Sequence, residues 1–161
     1  MSSFERRAFL IGLVGLSAAC GFRPVYGDGG GGDLVGAVRL QEAVDPESFA
    51  FRERMRRRIG HADDGGAFAL SYQLELTEEP VAINPASDVT RYRVTAKAKW
   101  RLVRQSDGTL AGEGEVKTTG AYDATAAPYA TRTARQSERR QLATELAELT
   151  ATRLLAMMSD A

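Results

Sequence analysis

The sequence predicts an α+β fold, a two-layer sandwich with two helices packed on one face of a four-stranded mixed sheet, in the order β-α-β-β-β-α. Three observations lead there. Three consecutive stretches alternate apolar and polar residues with the period of a half-buried strand. Before them, Asp45-Pro46-Glu47 opens a run in which Phe51, Met55 and Ile59 recur at helical spacing. After them, Leu142, Leu146, Leu149, Leu154 and Met157, with Ala143 and Ala147, draw a stripe along the second half of residues 129–158.

The 161 residues begin with Arg6 and Arg7 followed by an uncharged run from Ala8 to Ala19. That run is shorter than the ~20 residues of a membrane span and reads as an export signal, residues 1–19. Small residues Ser17, Ala18 and Ala19 precede Cys20, which is the chain's single cysteine. A lone thiol has no disulfide partner, so an exported chain has another use for it. The arrangement resembles a bacterial lipoprotein signal with Cys20 as the acylated first residue, although Ser17 stands where such signals usually carry leucine. An ordinary secretory signal is the plainer alternative, and Arg6-Arg7-Ala8-Phe9-Leu10 resembles a twin-arginine export motif.

Without the signal, which takes Arg6, Arg7 and Glu5, the 21 basic and 21 acidic residues become 19 and 20. Net charge therefore predicts no general affinity for nucleic acid or anionic membrane, and any basic surface must be local. With 43% hydrophobic residues, one domain with a true core is expected over residues 34–161. Gly27-Asp28-Gly29-Gly30-Gly31-Gly32-Asp33 has almost nothing to bury, so residues 20–33 read as a flexible tether. A phosphate-cradling loop would need a strand before these glycines and a helix after them, and neither is expected.

Leu34 to Gln41 is the expected first strand. Its direction, parallel or antiparallel to the strand that follows the helix, is left open by the sequence, and only the crossover expected of a strand-helix-strand unit points to parallel. In that helix Asp45 caps the free amides, Pro46 sits where no amide is needed, and Gly60 supplies the stop. Its other face carries Arg52, Arg54, Arg56, Arg57 and Arg58, either as a solvated surface or for an anionic lipid or acidic partner.

The next strands are expected at Ala67–Thr77, Arg91–Leu102 and Thr109–Ala121. In the second, Tyr92, Val94, Ala96, Ala98, Trp100 and Leu102 face the core, while Arg91, Arg93, Thr95, Lys97, Lys99 and Arg101 face outward. Directly opposed residues must share a face, which excludes a two-residue Asp107-Gly108 turn. A three-residue Ser106-Asp107-Gly108 loop meets the parity, setting Arg101 opposite Glu113 and Lys99 opposite Glu115. Arg91, Arg93 and Lys97 are then left without carboxylates, at the end near the Asn84–Asp88 loop. They are the candidate ligand residues, since Arg and Lys on a rigid strand suit phosphates and carboxylates. A merely solvated sheet face is the alternative.

A helix over residues 129–158 would span about 45 Å, longer than the ~20 Å of an ordinary strand. Its polar first half is therefore expected to overhang the sheet, solvated or held by a partner. His61, the single histidine, follows a helix stop and reads as a loop residue, since transition-metal sites need several ligands. Glu113 and Glu115 look like ion-pair partners, no Ser-His-Asp or Cys-His arrangement is available once Cys20 is acylated, and Trp100 reads as packing. Neither enzyme activity, a cofactor nor a metal is expected.

Cys20-Gly21-Phe22-Arg23-Pro24-Val25-Tyr26-Gly27, opening a mature chain of 142 residues (161 less 19), resembles the start of the LPS-assembly lipoproteins, the LptE family. Arg91-Tyr92-Arg93 and Tyr122-Asp123 resemble the family more weakly, and its two-layer architecture matches the one read above. The resemblance implies an outer-membrane lipoprotein, anchored by acyl chains on Cys20, that partners the β-barrel translocon LptD and assists passage of lipopolysaccharide to the cell surface. Arg91, Arg93 and Lys97 would then contact lipopolysaccharide. Gly21 agrees with outer-membrane delivery, and acylation at more than one point makes an anchor stable. Two rivals stand beside this reading: a lipid-anchored periplasmic structural or interaction module that does not bind lipopolysaccharide, and an exported enzyme using the twin-arginine route.

Overall fold

The computed structural model describes residues 34–62 and 65–159. The signal, Cys20 and the glycine tether lie outside the described residues. Six elements follow in the expected order: β1 (Val38–Leu40), α1 (Pro46–Ile59), β2 (Phe68–Ile83), β3 (Val89–Arg104), β4 (Leu110–Asp123) and α2 (Pro128–Ser159). The strands lie in sequence order in one sheet, β1 parallel to β2 and the rest antiparallel. Both helices pack on the even-numbered face, where Phe51, Met55, Ile59, Leu70, Tyr72, Val94, Ala96, Ala98, Trp100 and Leu102 are buried.

Local chemistry sets each boundary. Asp45 accepts from the Ser48 amide at 2.7 Å and Ser48 Oγ accepts from the Asp45 amide at 3.0 Å, a reciprocal cap with serine in the role usual for glutamate. Gly60 ends α1 at φ 76° and donates to Arg56 O. A side chain there would also strike the backbone of Gly36, whose own amide bonds Ile59 O. Leu34 to Ala37 is consequently a turn, and β1 is shorter than the expected strand.

The β3–β4 register is as the parity argument requires, with Lys99 opposite Glu115 and Arg101 opposite Glu113. The loop differs. Arg104 N donates to Thr109 O, so four residues, Gln105–Gly108, span the turn, and a bulge between Leu102 and Val103 restores the parity.

The overhang is absent. β2 and β3 each run 16 residues, about 50 Å of strand, which matches the 32 residues of α2. Ala134 packs against the core, and Arg135 and Arg139 reach Glu78 on β2. Leu149, expected in the buried stripe, is exposed, and Leu155 is buried in the core. Ion pairs of Glu47 with Arg139, and of Glu148 with Arg54 and Arg58, place α1 parallel to the C-terminal part of α2. Arg52 bonds Glu42, and Arg56 and Arg57 flank Glu53, so much of α1's basic face is answered within the chain.

Candidate functional site

Arg91, Arg93 and Lys97 lie on the outer face of β3, toward the Asn84–Asp88 turn. The expectation that all three lack carboxylates is corrected at Arg91, which pairs with Asp123 of β4 at 3.3 Å. The extra residues of β4 beyond Ala121 supply that partner. Arg93 stands between Glu79 and Ala121, and Lys97 between Glu75 and Lys117. Neither makes an ion pair among the described residues, yet the β2 carboxylates opposite them reduce the excess of charge. The turn beyond is tied by Asn84, whose amide bonds Asp88 O and whose Oδ1 accepts the Asp88 amide, with Ser87 at φ 69°.

A second cationic cluster lies on the helix side of the same end. Glu78 occupies a core-facing position of β2. Its carboxylate accepts from Tyr122 Oη, Arg135 Nε and Arg139 Nη1, each at 2.9 Å, and Arg139 also donates to Glu47 at 2.5 Å. Burial opposes ionisation of Glu78, but the bonds from Arg135, Arg139 and Tyr122 outweigh it and hold the carboxyl below its ordinary range. Burial, then the bond to Glu78, push the Tyr122 phenol up to about 12. Tyr92 stacks on Tyr122 with ring centroids 5.2 Å apart.

Two grooves meet at this cluster. One, of about 460 Å³, runs from Pro46 and Glu47 along Arg132, Arg135, Arg139 and Arg140. The other, of about 420 Å³, is walled by Tyr92, Tyr122, Pro128, Thr131, Arg132 and Arg135. Arg132 and Arg140 have no carboxylate partner among the described residues, so an anionic group suits the grooves. The sequence reading missed this cluster because its members are 57 and 61 residues apart from Glu78 and share no local pattern.

His61 accepts the Leu40 amide through Nδ1 at 3.3 Å, beside β1. Among the described residues no group of three or more His, Cys, Asp or Glu is placed to hold a metal, and no helix is long and apolar enough to cross a membrane.

The model of the LptE lipopolysaccharide-assembly family matches residues 37–158. The chain belongs to the LptE family. Among solved structures, a lipoprotein from Caulobacter crescentus CB15 superposes with a TM-score of 0.65 at 18% identity, over 81% of this chain and 96% of that one. The rare lipoprotein B of Shewanella oneidensis gives 0.51 at 17% identity over 77% and 92%. A minor lipoprotein of Acinetobacter baumannii gives 0.52 at 16% over 76% and 93%. At such identities these likenesses establish the fold. A comparison with curated proteins returned no match. For this LptE family member, lipopolysaccharide assembly is the role against which the cationic end is to be judged.

Proposed function

We propose that the chain is an outer-membrane lipoprotein, held by acyl chains on Cys20, that partners the β-barrel LptD and contacts lipopolysaccharide directly, without catalysis. Family membership supports the partnership. The single observation that carries the ligand is a set of cations that make no ion pair among the described residues: Arg93 and Lys97 on the outer sheet face, and Arg132 on the helix layer. Phosphates and carboxylates on inner sugars would be held there by charge-assisted hydrogen bonds, and Arg91 would join them by exchanging its exposed Asp123 partner.

The test is lipopolysaccharide binding by the chain with Arg91, Arg93 and Lys97 changed to Glu. Loss of binding with circular dichroism and melting temperature retained supports the reading. Unchanged binding removes these residues from the site. The Arg91–Asp123 pair favours a second reading, a lipid-anchored interaction module with a plainly solvated sheet face, in which the triple variant keeps its protein partner and the parent binds no lipopolysaccharide. Mass spectrometry of Cys20 after mild-detergent purification tests the anchor and reports any co-purifying barrel.

A further inference from the structure

The two long edges of the sheet, and the short stretch of edge formed by β1, are finished differently. The outer edge of β1 is closed by the chain itself, since Ala62 N donates to Val38 O and Leu40 N to His61 Nδ1. β4 has no strand on its outer edge among the described residues but lies under α2, which packs on β4 and β3. Between them β1 covers β2 only from Phe68 to Leu70, and the rest of β2 has no backbone partner on that side among the described residues.

Which backbone groups are left can be read from the bonds that are made. Phe68 N donates to Ala37 O, Gln41 N donates to Leu70 O, and Tyr72 N donates to the Gln41 side chain. Even-numbered residues of β2 therefore turn their amides toward the β1 side, and alternation leaves Leu74, Leu76 and Glu78 with amides aimed at the open edge. The Gln41 amide group already takes the place of a strand at Tyr72. At the next outward position after Glu78 stands Pro80, which has no amide, and the register breaks there. The window is thus bounded at both ends and fits an extended segment of about six residues.

Above the window the helix layer is half empty among the described residues. α1 stops at Pro46, whereas α2 continues toward the sheet end with Arg139, Arg135 and Arg132. Leu74 and Leu76 are only partly buried for the same reason. A strand added here would place alternate side chains into that vacancy, beside the arginines, and carboxylates there would meet Arg132 and Arg140.

We infer that the β2 edge from Tyr72 to Pro80 accepts an extended acidic segment of the protein partner as a fifth strand. The inference rests on the proposed partnership with LptD and names the surface it uses. The full-length chain, co-expressed with LptD, carries a photocrosslinking residue at Gln73, at Thr77 or, on the opposite edge, at Thr119. Crosslinks from positions 73 and 77 and not 119, mapping to an acidic segment of the barrel protein, support the inference. Slowing of exchange at the Leu74, Leu76 and Glu78 amides by about tenfold or more in the complex supports it too. Leu76→Pro removes an outward amide and none that pairs with β3, so it should weaken the complex about five- to tenfold while the melting transition stays cooperative. Should Leu76→Pro not fold, crosslinking and exchange still decide. A complex that forms with positions 73 and 77 silent and the three amides unprotected overturns this inference alone. Absence of any complex overturns the partnership and this inference with it.

Discussion

Tyr122 on β4 donates its phenol proton to Glu78 on β2 at 2.9 Å, reaching across β3 on the helix-covered face of the sheet. The same carboxylate binds Arg135 and Arg139, and Arg139 goes on to Glu47 in the first turn of α1. One carboxylate thereby joins two strands and both helices, at the level where α1 begins and the arginine grooves lie.

Glu78→Gln keeps the shape of that junction and removes its charge. Hydrogen bonds to a charged group contribute about 1.5 to 3 kcal/mol, so the variant should lose on that order in urea denaturation, with m unchanged. An unchanged midpoint would mean that the junction is solvated.

The sign of the pH effect follows from the lowered pKa of Glu78. Its contribution is fully present above the unfolded carboxyl value of about 4.3 and is lost as pH falls through the lower folded value. Melting curves of parent and Glu78→Gln should therefore be furthest apart near neutrality and converge in strong acid. A gap that persists at the lowest pH would assign the difference to packing.

Trp100 lies over Gly114 of β4, where an added Cβ would stand 2.8 Å from the indole ring. Overpacking of this kind costs about 1 to 3 kcal/mol. Gly114→Ala should lower the melting temperature and shift the emission of the chain's single tryptophan. No change in emission would show that the sheet yields and the ring does not.

At the start of α1, Asp45→Ala removes the acceptor of the Ser48 amide. A loss of about 0.5 to 2 kcal/mol is expected, with hydrogen exchange quickened in the first turn. Pro46 remains to set the helix entry, so the fold should be retained.

Element types and pairing could be read locally because strand alternation carries them: the even residues from Val94 to Leu102 are buried, Tyr92 is half-buried, and the odd residues between them are half-buried or exposed. Strand lengths could not. Glu78 interrupts the apolar series on the core face, so local pattern ends the strand at Thr77, whereas the structure runs β2 to Ile83. The carboxylate is tolerated there because Arg135 and Arg139 arrive from a distant helix. Underestimated strands in turn made α2 seem too long for its sheet. Of the candidate site, the outward cations of β3 were legible, and Arg91's partner was hidden by the same shortening of β4.

The parallel course of α1 and α2 also has an electrostatic effect on the arginine-rich end. In an antiparallel pair the peptide dipoles of neighbouring helices oppose one another. Here both amino ends point the same way, toward the grooves. At α1 the Asp45 and Glu47 carboxylates offset the field of that end, whereas α2 has no acidic residue in its first turn and adds roughly half a positive charge to the guanidinium groups. An anion approaching that end is drawn by the backbone at the start of α2 as well as by side chains, and that part of the attraction survives the replacement of any single arginine.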